Sequence, residues 1–199
     1  YGGQHSQSLE SLFTHLPGLV VAYPSSAEDA KGMLKSAIRS DDPVLFCESQ
    51  GLYAARGPVP EGEYTVPLGK SAVVREGGDA TIVAWGPAVP DALKAAEQLA
   101  AEGIEADVID LRTLVPLDME PVLASVAKTG RCVVAAQAIL SGSYVNEVVA
   151  RVVNEAFDDL DAPVARIGAA NGISPQAEGL EAAFLPGADD IANAVKGLI

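Results

Sequence analysis

The sequence predicts a protein of the α/β class, with a mostly parallel sheet that helices cover on both faces. Short runs of apolar, often β-branched residues alternate along the chain with longer segments whose apolar residues recur at helical spacing. The predicted strands are apolar throughout, which is typical of strands buried on both faces. A segment rich in proline and glycine divides this alternation into two parts.

The first part contains one strand–helix–strand unit. Its first strand, residues 19–23, is followed by Ser25 and Ser26, either of which can cap a helix with acidic residues in its first turn. The second strand covers residues 44–47. Together these elements form one βαβ unit.

The composition changes after this unit. Residues 54–70 carry three glycines and three prolines without a sustained apolar period, which predicts a linker between two domains. A long loop inside a single domain is the alternative.

The second part resumes the alternation over a longer stretch. Glycines or paired aspartates mark the ends of its helices. The predicted strands are residues 80–85, 106–110, 132–136 and 164–167, and the predicted helices are residues 90–102, 120–128, 144–157 and 188–198.

Charge and cysteine content narrow the classes of function. With 27 acidic and 13 basic residues, the formal charge is −14, so the surface repels nucleic acid and anionic lipid and suits a basic protein partner. The apolar runs are far shorter than the roughly 20 residues that cross a bilayer. Cys47 and Cys132 lie in apolar runs, which predicts buried, reduced thiols and a cytoplasmic protein.

Four stretches occur in the order and spacing of one enzyme family. They are QHSQS at residues 4–8, DAKG at 29–32, YTVPLGK at 64–70 and DVIDLRTL at 107–114. In these stretches the chain resembles the beta subunits of the thiamine-diphosphate-dependent pyruvate, acetoin and branched-chain 2-oxoacid dehydrogenases, which belong to the transketolase C-terminal-domain superfamily.

The resemblance implies a domain organisation. Residues 1–56 would be the C-terminal part of a pyrimidine-binding α/β domain, residues 57–70 a linker, and residues 71–199 a three-layer α/β/α transketolase C-terminal-like domain. We expect a preceding segment or another chain to supply the front of the first domain.

The resemblance also implies cofactors and partners. Family members use thiamine diphosphate and Mg²⁺, and their alpha subunits hold the diphosphate and metal with a Gly-Asp-Gly motif. Residues 77–80 read GGDA instead, so we expect other chains or a missing segment to hold most of the cofactor. The implied partners are an alpha-type subunit, a second copy of the chain and a lipoyl acyltransferase core.

His5 is the predicted catalytic residue. An imidazole titrates near neutral pH, so it can donate or accept a proton during a reaction. The matching histidine of the family lies at the active-site channel and assists decarboxylation or acyl transfer. The alternative is a loop histidine that hydrogen-bonds to the backbone. Glu48, at the end of a predicted strand, is a weaker candidate.

Asp161 and Ile199 are the predicted partner-binding residues. In similar beta subunits, the aspartate of a Leu-Asp-Ala-Pro stretch and the terminal carboxylate bind a basic domain of the acyltransferase core. A turn residue before Pro163 is the alternative for Asp161.

Two segments depart from the family pattern. Ala136-Gln137 stands where relatives show ionisable residues, and residues 173–176 read ISPQ where relatives show a Pro-x-Pro-aromatic loop. The sequence therefore allows three functions: a 2-oxoacid dehydrogenase subunit that passes an acyl group to a lipoyl domain, a split transketolase-like enzyme that forms acyloins, and a non-catalytic assembly subunit.

Overall fold

The computed structural model describes residues 2–199. The first part contains α1 (Gly2–His5), α2 (Glu10–Phe13), β1 (Val20–Ala22), α3 (Ala27–Ile38) and β2 (Val44–Phe46). The second part contains β3 (Ala72–Arg75), β4 (Ala80–Ala84), α4 (Ala88–Ala101), β5 (Ala106–Asp110), β6 (Thr113–Val115), α5 (Glu120–Thr129), β7 (Cys132–Ile139), α6 (Val145–Glu155), β8 (Ala165–Ala169), α7 (Glu178–Phe184) and α8 (Ala188–Lys196). Within residues 2–199, no helix is long and apolar enough to cross a membrane.

The second part forms a three-layer α/β/α unit around a five-stranded sheet. The strand order is β3-β5-β4-β7-β8, in which β3 is antiparallel to its neighbour and the other strands are parallel. Helices α4 and α8 bury their apolar residues on one face, and α5 and α6 bury theirs on the other. Strands β4 and β5 are buried along their whole length, as apolar strands between two helical layers must be. The predicted fold class is confirmed.

The first part forms a smaller sheet of three strands in the order β2-β1-β6. β1 and β2 are parallel, as predicted for a βαβ unit. Helix α3 begins after Ser26, whose side chain accepts a hydrogen bond from the backbone N–H of Asp29 at 3.1 Å. The third strand, β6, comes from the second part of the chain and runs antiparallel to β1.

The sequence did not predict β3, β6 or α7. These elements have four, three and seven residues, too few for a clear periodic signal. The predicted strand at residues 132–136 ended too early, because β7 continues to Ile139 and includes Gln137.

Residues 53–71 form no helix or strand, and residues 60–66 of this segment contact α3. The Ser36 hydroxyl donates a hydrogen bond to the carbonyl oxygen of Val66 at 2.6 Å, and the Tyr64 hydroxyl donates one to the carbonyl oxygen of Glu28 at 3.0 Å. The linker is therefore tied to the first part. The division into residues 1–56, 57–70 and 71–199 stays a prediction.

Candidate active site

A cleft of about 730 Å³ lies where the carboxyl ends of strands from both sheets meet. Open parallel α/β sheets bind their ligands at this edge. Residues 6–8, which follow α1, form one wall of the cleft, and residues 48–53, which follow β2, form a second wall. The start of α4 and helix α7 form the rest of the wall. The lining residues are His5, Ser6, Gln7, Ser8, Tyr23, Glu48, Ser49, Gln50, Gly51, Leu52, Tyr53, Pro87, Pro90, Asp91, Lys94, Gln137, Glu181 and Leu185.

His5 is the last residue of α1, and its exposed side chain lines the cleft. Gln7 also lines the cleft, and its side-chain amide donates a hydrogen bond to the carbonyl oxygen of Gly3 at 3.1 Å. This bond closes the turn around His5. By residue type, Ser6 or Ser8 could cap the next helix, but neither does, because α2 begins at Glu10 and the residue before it is Leu9.

The floor of the cleft consists of buried groups. Tyr23, at the end of β1, is 8% exposed, and its ring lies so close to Gly86 that a Cβ there would be 2.7 Å from a ring carbon. Burial raises the pKa of the Tyr23 phenol, and the nearby Glu10 raises it further. Cys47, predicted to be buried, is only half-buried and lies outside the lining of the cleft; burial and Glu10 together raise its pKa to about 11. Both groups are therefore protonated near neutral pH.

Glu10 and Trp85 join the two parts of the chain beneath this floor. The Trp85 indole Nε1 donates a hydrogen bond to the Glu10 carboxyl at 3.2 Å. Their side chains are almost fully buried, at 4% and 1% exposure. Burial raises the pKa of Glu10, and the hydrogen bonds oppose this effect.

Most of the ionisable groups on the cleft walls are acidic. Glu48 lies within 3.4 Å of the Tyr53 hydroxyl, which donates to it. Lys94 is 3.8 Å from the carboxylate of Asp91, whose pKa is raised by partial burial. With Glu181, three carboxyl groups face one lysine and His5.

The structure thus brings His5 and Glu48 together, and it adds groups that the sequence analysis missed. Tyr23 and Glu48 both follow strands, so the rule that ligands lie at strand ends could have found Tyr23 as well. Asp91, Lys94 and Glu181 lie on helices, and their spacing in the sequence carries no signal for a shared site.

Both departures from the family pattern lie close to the cleft. Gln137 lines it, while Ala136 is fully buried in the core. In the ISPQ segment, Ile173 packs on the backbone next to His5, because a Cβ on Gly3 would lie 2.6 Å from an Ile173 methyl carbon.

Asp161 and Ile199 lie outside the cleft. The Arg131 side chain contacts both Asp161 and Leu198, the residue before Ile199. The Arg131 guanidinium is 3.9 Å from the Asp161 carboxylate and donates a hydrogen bond to the carbonyl oxygen of Leu198 at 3.0 Å. The Asp161 side chain is 67% exposed and Ile199 is 59% exposed. Their role in partner binding stays a prediction.

The lining of the cleft offers little to hold a diphosphate group. One lysine and His5 face three carboxyl groups, which would repel the phosphate charges. Among residues 2–199, no group of three or more His, Cys, Asp or Glu side chains is arranged to hold a metal ion.

Comparison with known families identifies the fold. The sequence matches the pyrimidine binding domain of transketolase over residues 2–56 and the C-terminal domain of transketolase over residues 69–191. The chain belongs to the transketolase C-terminal domain family. The resemblance inferred from the four stretches is confirmed.

Among members of this family, several beta subunits are similar to the chain. The beta subunit of acetoin:2,6-dichlorophenolindophenol oxidoreductase from Cupriavidus necator is 47% identical over 193 residues, which are 97% of this chain and 57% of that protein. The pyruvate dehydrogenase E1 beta subunit from Bacillus subtilis is 43% identical, over 98% of this chain and 60% of that protein. The 2-oxoisovalerate dehydrogenase beta subunit from the same organism is 40% identical, over 100% of this chain and 63% of that protein. The chain thus spans about 60% of the length of these relatives.

A solved split gene transketolase chain has a similar structure. The protein described as a split gene transketolase, inactive beta4 tetramer, superposes with a TM-score of 0.77 at 29% identity, covering 94% of this chain and 59% of that one. The relatives named here are subunits of an oxidoreductase and of two dehydrogenases.

Proposed function

We propose that this chain forms part of the beta-type subunit of a thiamine-diphosphate-dependent 2-oxoacid dehydrogenase. The enzyme would decarboxylate a 2-oxoacid and pass the acyl group to a lipoyl domain. The observation that carries the proposal is the position of His5 on the wall of a cleft at the strand ends of both sheets. Identities of 40–47% to beta subunits of such enzymes support it.

The side chains of the cleft suggest what this chain contributes. The His5 imidazole can donate a proton to an oxygen of the bound substrate or accept one from it. The protonated Tyr23 places no charge on the floor of the cleft, so the charged groups that a substrate would meet lie on the walls. The change at Gln137 removes an ionisable group from the wall.

The remaining chemistry belongs to partners. Because the carboxyl groups of the cleft would repel a diphosphate, we propose that an alpha-type subunit and the front of the pyrimidine-binding domain hold the diphosphate and Mg²⁺. A second copy of the chain would complete a heterotetramer. The exposed Asp161 next to the end of α8 would bind a basic domain of a lipoyl acyltransferase core, where opposite charges guide association. Cys47 and Cys132 are free thiols, in keeping with the proposed cytoplasmic location.

The proposal is tested by reconstituting the complex from this chain, the segment or chain that carries the front of the pyrimidine-binding domain, and the alpha-type subunit, with thiamine diphosphate and Mg²⁺. Turnover of pyruvate, 2-oxoisovalerate and acetoin is followed with 2,6-dichlorophenolindophenol as electron acceptor. We expect His5→Ala to lower turnover by ~10²-fold or more, the loss expected when an acid/base group is removed.

His15→Ala is the matched control, because His15 is exposed and lies outside the cleft. We expect it to leave turnover within about twofold of wild type, as is usual for surface positions. Unchanged turnover in His5→Ala would remove His5 from the mechanism. A complex that turns over none of the three substrates would contradict the proposed function.

A further inference from the structure

The segment that carries His5 has little structure of its own. We call residues 2–16 the histidine segment. Its helices, α1 and α2, have four residues each, and isolated helices of this length are not stable in water. Leu9, which precedes α2, makes no capping hydrogen bond through its side chain. Contacts with the rest of the chain must therefore set the position of His5.

Two polar contacts tie α2 to the second part of the chain. The Trp85 indole donates its hydrogen bond to Glu10 across 75 residues of sequence. The backbone N–H of Tyr144, at the start of α6, donates one to the Ser11 hydroxyl at 2.9 Å across 133 residues. The histidine segment thus rests on the second sheet and its helices.

The apolar side chains of the histidine segment contribute less to this anchoring. Leu9, Leu12 and Leu16 are 49%, 67% and 48% exposed, whereas Glu10 is 4% exposed. The buried residue of α2 is thus its carboxylic acid, the reverse of an ordinary amphipathic helix. Burying such a group is costly unless it is hydrogen-bonded, so the bond to Trp85 determines which face of α2 points inward.

We propose that Glu10 is the positioning residue of the candidate active site, which fixes His5 in the cleft by accepting the hydrogen bond of Trp85. This inference rests on the proposed function of His5. In this role Glu10 neither contacts the substrate nor transfers a proton.

The chemistry of the contact defines the variants. A carboxyl oxygen and a side-chain amide oxygen both accept a hydrogen bond from an indole N–H, so Glu10→Gln keeps the contact and removes the charge. Glu10→Ala leaves the buried indole N–H without its partner, which is the costly way to lose a hydrogen bond. Glu97→Ala, which truncates an exposed glutamate on α4, is the matched control.

The experiment uses the reconstituted complex and measures kcat and KM together with hydrogen exchange of residues 2–9. We expect Glu10→Ala to lower kcat by about 10-fold or more with a smaller change in KM, because a shift of about 1 Å in a catalytic group costs rate at this scale. We expect Glu10→Gln to restore most of the loss and Glu97→Ala to have no effect. Exchange of residues 2–9 should rise in Glu10→Ala alone.

A double variant tests whether Glu10 acts through His5. Effects of residues that act as one unit are not additive, so Glu10→Ala should cost nothing further in the His5→Ala background. The proposal is overturned by wild-type kcat and exchange in Glu10→Ala, by a Glu10→Gln variant as impaired as Glu10→Ala, or by full additivity with His5→Ala. If the wild-type complex shows no turnover, the proposed function fails, while exchange of residues 2–9 still decides whether Glu10 holds the segment.

Discussion

Replacing Asp110 by asparagine tests how the junction between the two parts of the chain holds a buried carboxyl group. Asp110 ends β5 and is fully buried. Its carboxyl accepts hydrogen bonds from the Ser25 hydroxyl and from the backbone N–H of Arg112, the latter at 2.9 Å. Burial, opposed by these hydrogen bonds, raises the pKa of Asp110 to about 7, and the negative charge of Asp29 adds to the rise.

The raised pKa makes the free energy of unfolding depend on pH. Between the ordinary pKa of 3.8 and about 7, the folded protein keeps the Asp110 proton that the unfolded chain has lost. The contribution of Asp110 is therefore most favourable at low pH and is lost as the pH rises through this window. The loss is ~1.4 kcal/mol per pH unit, which gives an upper value of about 4 kcal/mol over the window.

Asp110→Asn should abolish this pH dependence and keep the contacts. The amide oxygen can accept from Arg112 and the amide nitrogen can donate to Ser25. Urea unfolding is followed by the fluorescence of Trp85, the single tryptophan, which is 1% exposed. From about pH 5 to about pH 8, the free energy of unfolding of the variant minus that of wild type should rise by up to ~3 kcal/mol.

Asp158→Asn, at an exposed position, is the control and should follow wild type. A difference between Asp110→Asn and wild type that stays constant over this range would refute the argument. So would one that falls as the pH rises, because it would mean that the charged form of Asp110 stabilises the fold.

Two further substitutions probe the floor of the cleft and the linker. Gly86 and Gly103 both have a positive φ, but only at Gly86 would a new Cβ meet a side chain, the ring of Tyr23. In urea unfolding, Gly86→Ala should therefore lower the free energy of unfolding by about 2 kcal/mol more than Gly103→Ala does. Equal losses would show that backbone strain alone matters. Ser36→Ala removes the hydrogen bond to Val66 and should lower the free energy of unfolding by about 1 kcal/mol. Limited proteolysis should then cleave residues 57–70 faster than in wild type. An unchanged cleavage rate would contradict the role of this hydrogen bond in holding the linker.

The sequence predicted those parts of the fold whose signal is local. Residues 106–110 were predicted as a strand and form β5 with the same bounds. The signal is local, because the β-branched pair Val108 and Ile109 stands in a short run that follows the glycine at the end of the preceding helix. Strand β6 was missed, because its three residues pair with β1 through a contact between distant parts of the chain.

The candidate site was predicted less completely for the same reason. The family resemblance directed attention to His5, and the structure places that residue in the cleft. In the sequence, Glu10 is one of 27 acidic residues, a type that is usually exposed to solvent. Its burial depends on Trp85, and 75 residues separate the two in sequence. No periodicity or motif in the sequence indicates such a pair.

The pairing of β1 with β6 also bears on how the protein is made. A nascent polypeptide leaves the ribosome from its amino end, and domains usually fold in that order. Here β1, the central strand of the smaller sheet, has β2 on one side and residues 113–115 on the other. During translation, one edge of β1 stays unpaired until Val115 has left the ribosome. The smaller sheet is therefore completed only after much of the larger one has been synthesised.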